Sequence, residues 1–219
     1  MKRMTVWKHS RAWIASAILF GFAVPAVVAA EAGEMLRWES LPALPDQLGV
    51  GGPLVGVHKD ALIVAGGANF PEPVWEHEKV WRDQAWVLQR TAPDGFRWRE
   101  GFTLDRPVAY AACLSTDDGV ACLGGSDGET IFRECFLLQW QPDAQRLVQH
   151  PLPPLPKPCA YGAAARIGDC LYLAGGQSGQ ELGTAMRNLW RLDLSRSQGP
   201  KDAFQWEVLP PWPGPERAY

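Results

Sequence analysis

The chain has 219 residues, of which 47% are hydrophobic and 21% charged, and this composition excludes an intrinsically disordered chain. Its formal net charge of −3 offers no electrostatic basis for binding nucleic acid or an anionic membrane surface. The 11 Trp, 22 Gly and 19 Pro residues, with no long 3.6-residue apolar period after the N-terminus, predict an all-β fold of short strands and many turns.

The first thirty residues have the layout of a secretory signal peptide. A basic start is followed by an apolar run from Ile14 to Val24, by Pro25, and by small residues that end at Ala30. The alternative is an uncleaved membrane anchor, but residues 14–30 fall short of the roughly 20 residues that a span needs. We therefore expect residues 1–30 to be removed, which would lower the net charge to −7 and leave a periplasmic or secreted protein with no membrane association.

Five cysteines are compatible with disulfides in an exported protein. Cys113 and Cys122 flank a turn at residues 116–119, so a hairpin would place them opposite each other. They are either a disulfide or two small buried side chains, and the sequence favours the second. The spacing of the other three cysteines indicates no zinc site.

Three apolar runs end in a glycine pair, and these pairs organise the chain. The pairs begin at Gly66, Gly124 and Gly175, at intervals of 58 and 51 residues. A period near 50 residues is typical of the kelch repeat, in which each repeat forms one four-stranded blade of a β-propeller.

We predict a partial kelch propeller over residues 34–219. Its parts are a leading fourth strand at 36–42, blade one at 51–100, blade two at 109–149, blade three at 160–209 and the start of a next blade at 215–219. Trp86, Trp140 and Trp190 are predicted at equivalent places in the third strands, packing between blades.

A recurring segment precedes the first strand of each blade, and we call its copies the approach segments. They are residues 106–110, 157–161 and 215–219, and each ends in a tyrosine. Because the chain opens with an unaccompanied fourth strand and closes at the start of a first strand, we expect three blades of a six-bladed ring, as an N-terminal half. A three-bladed protein that dimerises into a ring is the alternative, and the sequence does not determine the oligomeric state.

Blade one carries a more specific resemblance. The stretches at residues 44–57 and 60–71, continued by Pro73-Val74-Trp75-Glu76 and Lys79-Val80-Trp81-Arg82-Asp83, resemble the N-acetylneuraminate (sialic acid) epimerases, also called mutarotases. In those enzymes the equivalent stretch lies late in the chain, so the order here is similar to the cyclically permuted branch of the family.

The resemblance implies a propeller outside the cytoplasm that interconverts the α and β anomers of a sugar acid, with no metal or other cofactor. The family's proposed catalytic Glu lies in a Gly-Glu-x-x-Pro-Gly-x-Arg segment directly after a glycine pair. Here Ala68, Ser126 and Gln177 hold the positions after the pairs. No catalytic residue is therefore assigned in this chain, and enzymatic activity is expected of the full-length parent.

Ligand-binding candidates lie on the face where the approach segments and the segments after the glycine pairs emerge. The candidates are Asn69, Arg106, Tyr110, Lys157, Tyr161, Arg217 and Tyr219. The cations and phenols could bind a sugar carboxylate or could brace neighbouring blades. The long loop 68–83 offers Glu76 and His77 as an acid–base pair, although solvated loop residues are the favoured interpretation.

Two functions of different class follow. The first is a sugar mutarotase whose partner is a small sugar acid, and the second is a non-catalytic exported kelch module that binds glycan or protein.

Overall fold

The computed structural model describes residues 38–91 and 95–218. The predicted signal peptide at 1–30, together with Leu36, Arg37 and Tyr219, lies outside the described residues. The chain divides into two units, residues 1–39 and 40–219. Trp38 and Glu39, the described residues of the first unit, are exposed and form no strand.

The second unit is built from antiparallel strands and three short 3₁₀ helices, with no α-helix in the described ranges. Its strands are β1 (Leu54–His58), β2 (Ala61–Ala65), β3 (Ala68–Asn69), β4 (Val80–Trp81), β5 (Gln84–Thr91), β6 (Gly95–Thr103), β7 (Ala112–Thr116), β8 (Gly119–Leu123), β9 (Cys135–Gln141), β10 (Arg146–Leu152), β11 (Ala163–Ile167), β12 (Cys170–Ala174), β13 (Leu189–Asp193) and β14 (Glu207–Leu209). The 3₁₀ helices span Leu182–Thr184, Leu194–Arg196 and Lys201–Ala203.

Three four-stranded sheets follow one another along the chain, each with its strands in sequence order. They are β1-β2-β5-β6, β7-β8-β9-β10 and β11-β12-β13-β14. These are the three blades of the predicted all-β, kelch-type propeller. Strand β7 contacts both β1 and β11, so the first strand of each sheet lies towards a common centre.

The predicted strand at 36–42 is not present in its described part, because residues 38–42 pair with no other strand. Within the second unit, a side-chain hydrogen bond holds Pro42 to blade one instead. The indole N–H of Trp98 in β6 donates to the carbonyl of Pro42 at 3.0 Å.

Two apolar cores lie between successive blades. Leu54, Ile63 and Val87 of blade one pack against Val120 and Trp140 of blade two, and all of them are fully buried. The second core joins blade two to blade three and contains Leu123, Leu155, Leu171, Leu173 and Leu192. Successive side chains on a strand point to opposite faces of the sheet, so each face of a blade presents apolar side chains to the blade on that side.

The predicted equivalence of the three tryptophans is wrong for blade two. Trp86 pairs with Val64 and Trp190 with Leu173, each two residues before a glycine pair. In blade two this place is taken by Phe136, which pairs with Cys122. Trp140 lies four residues further along β9, and since side chains on a strand alternate, it faces the same side of the sheet and still packs between blades.

A buried histidine also joins blades one and two. His58 is 4% exposed, and its Nδ1 accepts a hydrogen bond from the backbone N–H of Trp140 at 3.0 Å. Burial lowers the pKa of His58 below 6.5, and the charge of Lys59 lowers it further. The imidazole is therefore held in its neutral form, as an acceptor between two sheets.

The five cysteines are all free thiols. Cys113 and Cys122 do lie directly opposite each other in the β7–β8 ladder, as the turn at 116–119 predicts. Of the two alternatives, the structure has the pair of small side chains, with Cys122 buried and Cys113 half-buried.

Candidate functional site

The glycine pairs form the seams between blades. The backbone N–H of the second glycine of each pair donates to a carbonyl of the following approach segment, at 2.8 Å in all three cases: Gly67 to Val108, Gly125 to Cys159 and Gly176 to Arg217. The first glycines have φ between +61° and +70°. At Gly124 a Cβ would lie 2.0 Å from the carbonyl oxygen of Cys159, so the close approach requires glycine.

The three predicted cations do not hold the same place in their approach segments. Arg217 occupies the backbone position of Val108 and Cys159, not that of Arg106 and Lys157. Its backbone forms a bridge to Met186, and its side chain is exposed. Lys157 is exposed as well.

The tyrosines that end the first two approach segments do come together. Tyr110 and Tyr161 stack with their ring centroids 4.6 Å apart and their planes at 30°. The N–H of Tyr110 donates to Gly52 and the N–H of Tyr161 donates to Tyr110, at 2.8 and 2.9 Å. Successive approach segments are thereby hydrogen-bonded from blade to blade, directly before the inner strands.

Both tyrosines have left-handed backbone conformations, with φ of +60° and +61°. A non-glycine residue pays of the order of 1–2 kcal/mol for this conformation, and such strain concentrates at functional sites. Gly52 holds the equivalent position in blade one with φ of +60°, and a Cβ there would lie 2.3 Å from the Tyr110 ring. The glycine in blade one therefore makes room for the tyrosine of blade two.

Lys79 completes this arrangement, although it is not among the ligand-binding candidates that the sequence predicts. Its Nζ donates a hydrogen bond to the Tyr110 hydroxyl. The same nitrogen lies 4.6 Å from the Tyr110 ring centroid and 5.1 Å from that of Trp81. We call Lys79, Trp81, Tyr110 and Tyr161 the Lys79 cluster.

The loop that carries Lys79 is more ordered than predicted. Strands β3 and β4 pair, so the predicted long loop 68–83 is a hairpin whose tip spans residues 70–79. Glu76 and His77 at this tip are both exposed, as the favoured interpretation of solvated residues predicts. Strand β4 at Val80–Trp81 leads the chain back from the hairpin tip, and this places Lys79 beside the rings of Trp81 and Tyr110.

Asn69 is 8% exposed and its amide is used within the protein. Its Nδ2 donates to the carbonyl of Gly49 at 2.9 Å, and its Oδ1 accepts from Nε of Arg82 at 3.0 Å. These bonds brace the base of the hairpin. The ligand role predicted for Asn69 stays a prediction, but both ends of its amide already have protein partners.

Arg106 contacts a different set of residues. Its Nη2 lies 3.2 Å from Oε2 of Glu134, and its guanidinium lies 3.6 Å from the ring centroid of Phe132. The pKa of Glu134 is lowered, first by its own backbone N–H and then by Arg106. Arg106 also lines a cleft of about 560 Å³ between blades one and two, with Leu104 and Pro151.

The polar residues after the second and third glycine pairs are used by their own loops. Oδ1 of Asp127 accepts from the N–H groups of Glu129 and Thr130 at 3.1 and 2.9 Å. Gln177 is 5% exposed and its Nε2 donates to Glu181 at 3.2 Å. Ser178 donates through Oγ to the carbonyl of Thr184 at 3.3 Å.

Among the described residues, no group of three or more His, Cys, Asp or Glu side chains could hold a metal ion. Within 38–91 and 95–218, no helix is long and apolar enough to cross a lipid bilayer.

This architecture defines a class of protein: the chain is a kelch-type β-propeller protein. A family model described as "Kelch motif" matches residues 158–211, which belong to blade three. The solved structure of YjhT superposes with a TM-score of 0.62 at 15% identity, over 82% of this chain and 57% of that one. This likeness establishes the fold.

Curated relatives named N-acetylneuraminate epimerase carry the more specific kinship. The protein from Brucella suis is 32% identical over 122 residues, which is 48% of this chain and 30% of the relative. The protein from Yersinia pestis is 29% identical over 128 residues, or 50% of this chain and 31% of the relative. These relatives confirm the resemblance that blade one indicates, and the matched region spans less than a third of each relative's length.

Proposed function

We propose that this chain contributes to a mutarotase that interconverts the α and β anomers of N-acetylneuraminate or a related sugar acid. The observation that carries the proposal is its similarity to relatives named N-acetylneuraminate epimerase. The Lys79 cluster supports it, since a cation and two phenols converge there at the start of the inner strands. Binding sites of this kind combine aromatic walls with a few placed polar groups.

The chemistry needs only a positioned acid and base. A base takes the proton of the anomeric hydroxyl, the bond from the anomeric carbon to the ring oxygen breaks, and an acid protonates that oxygen. Ring closure on the other face of the carbonyl reverses these proton transfers. Such a pair is typically worth about 10²–10⁴ in rate.

Of the groups in the Lys79 cluster, the phenol of Tyr110 is placed to exchange protons, because it already forms a hydrogen bond with the Lys79 ammonium. No residue after a glycine pair is suited to the role. Ala68 has no ionisable side chain, and the side chains of Ser126 and Gln177 are buried.

The test is NMR of freshly prepared α-N-acetylneuraminate with the full chain, monitored as the β anomer appears. The proposal expects exchange at least tenfold faster than in buffer, with the heat-unfolded chain as the matched control. Exchange no faster than with the unfolded chain rejects the mutarotase function for this sugar.

A second candidate is a non-catalytic exported kelch module that binds glycan or protein. The apolar tip of the β3–β4 hairpin favours it, since Phe70, Val74 and Trp75 are 46%, 51% and 81% exposed. Clusters of exposed apolar side chains often mark interaction sites. Sugar binding without any acceleration of anomer exchange, weakened by Trp75→Ala, would favour this candidate over the enzyme.

Export is also part of the proposal, and the layout of residues 1–30 supports it. Mass spectrometry of the native protein tests it directly. A mature N-terminus after Ala30 in the exported fraction is expected, and an intact Met1 in that fraction would contradict cleavage.

A further inference from the structure

The ammonium of Lys79 is held in one place by three groups. The Tyr110 hydroxyl accepts a hydrogen bond from it, and the ring centroids of Tyr110 and Trp81 lie 4.6 and 5.1 Å from it. A lysine normally has a flexible stem that loses rotamer freedom on binding. Here the protein has already ordered the side chain, so a ligand would not bear that cost.

Lys79 also has hydrogen-bonding capacity in reserve. An ammonium has three N–H donors, and the Tyr110 hydroxyl takes one of them, while aromatic faces take none. In the described part of the chain, the ion pairs are formed by other cations: Arg106, Arg166, Arg187, Arg191 and Arg196. Within the described residues, Lys79 therefore has N–H donors available for an external anion.

The carboxylates nearest to Lys79 in sequence are exposed to solvent. Glu72, Glu76 and Glu78 lie on the same hairpin tip, and all three are exposed, whereas Lys79 is half-buried among the rings. A ligand anion at Lys79 thus meets a cation in an aromatic surrounding and solvated carboxylates outside it.

The stacked tyrosines indicate what kind of ligand would fit beside Lys79. Tyr110 and Tyr161 form a continuous aromatic wall, and the left-handed backbone holds both rings before the inner strands. Gly128 closes the side towards Trp81, since a Cβ there would lie 2.7 Å from the indole ring. An aromatic wall next to a fixed ammonium suits a ligand with a carboxylate attached to a ring.

From this geometry we infer that Lys79 is the residue that binds the carboxylate of a sugar acid, and that Tyr110 and Tyr161 position its ring. The identity of the sugar rests on the proposed mutarotase function. The inference that the ligand carries a carboxylate rests on the Lys79 cluster itself. The assignment replaces Arg106 as the binding cation, because the charge of Arg106 is already paired with the Glu134 carboxylate and its guanidinium lies over the Phe132 ring.

The experiment compares two ligands on the full chain by isothermal titration calorimetry. N-acetylneuraminate carries the carboxylate, and N-acetylmannosamine is a neutral probe that lacks it. Lys79→Met is expected to weaken binding of the acid about 10-fold to 100-fold, the range for a lost charge-assisted hydrogen bond, and to leave the neutral sugar unaffected. Lys79→Arg should retain most of the affinity for the acid.

Glu78→Gln is the matched control, since it changes one charge on the same hairpin at an exposed position and should bind both sugars as the original chain does. Melting temperatures of all three variants check that the fold is intact. The inference is overturned if the original chain binds no sugar acid, if Lys79→Met binds the acid as well as the original chain, or if it loses both sugars equally. Lys79-dependent binding without faster anomer exchange upholds the inference and rejects only the proposed mutarotase function.

Discussion

The backbone N–H of Tyr161 donates to the carbonyl of Tyr110 at 2.9 Å while the two rings stack at 4.6 Å. The residues belong to successive blades, so one contact joins the blades through both main chain and side chain. Because the left-handed backbone at each tyrosine is costly, the pair depends on the seam that holds it. The first two predictions concern this dependence.

The fit between Gly52 and Tyr110 can be tested by a double-mutant cycle. Gly52→Ala should destabilise the chain by about 3 kcal/mol, from left-handed strain and from overlap with the Tyr110 ring. In a Tyr110→Ala background the overlap is absent, so the same change should cost only about 1 kcal/mol. Urea unfolding measures both values. Gly49→Ala controls for strain alone, since φ there is +66° and nothing lies within 4 Å; equal costs in the two backgrounds would contradict the fit.

The glycine seam predicts a large cost at Gly124. Gly124→Ala would place a Cβ 2.0 Å from the Cys159 carbonyl, so we expect a loss of about 3–5 kcal/mol in the free energy of unfolding. Gly168→Ala is the matched control at a φ of +57° with open space around it, and it should lose about 1 kcal/mol. Similar losses for the two variants in urea unfolding would show that the blades adjust at the seam.

His58 predicts how stability depends on pH. Its pKa is lowered below 6.5 by burial, so in the pH range below 6.5 the unfolded chain binds more protons than the folded chain at this site. The contribution of His58 to the free energy of unfolding is present above pH 6.5. It is lost as the pH falls through 6.5 towards the pKa of His58 in the folded chain. The charge of Lys59 lowers the pKa further, whereas a hydrogen bond with the Asp117 backbone and the charge of Asp118 raise it.

Urea unfolding between pH 5 and pH 8 tests this dependence. His58→Asn retains an acceptor for the Trp140 N–H but does not titrate, so it should flatten the pH profile in this range. His150→Asn is the control, because His150 is exposed in β10. An unchanged profile in His58→Asn would assign the pH dependence to other groups.

The thiols predict a two-stage labelling pattern. Burial raises the pKa of Cys135 and Cys159 to about 12 and raises that of Cys122 as well. Since the thiolate is the reactive form, a chromogenic disulfide reagent at pH 8 should label half-buried Cys113 and Cys170 first and the other three only on unfolding. Rapid labelling of all five thiols in the native chain would contradict the buried positions.

Arg106 provides the complementary test of the ligand site. It forms a partly exposed ion pair with Glu134, so Arg106→Met should cost less than about 1 kcal/mol in stability. It should also leave the affinity for N-acetylneuraminate unchanged, in contrast to Lys79→Met. Arg106→Lys serves as the charge-retaining control. A loss of affinity for the sugar acid in Arg106→Met alone would restore the role that the sequence predicted for this residue.

The repeat pattern in the sequence was sufficient for the fold class and for the order of the strands in each blade. Glycine pairs at a regular interval mark positions where φ is positive and a neighbouring carbonyl leaves no space for a Cβ. This requirement is local and recurs in every blade, so it is visible in a single sequence. Tyr110 and Tyr161 were also selected from the repeat, since each one ends an approach segment, but their stacking was not predicted.

Only the tertiary structure decided which side chains meet. Lys79 and Tyr110 are 31 residues apart and come from different blades, and the β3–β4 hairpin that unites them has strands of only two residues. The shift of the aromatic position from Trp140 to Phe136 depends on ladder register. Register and side-chain direction are determined by packing against a neighbouring sheet, and a repeat period does not record that packing.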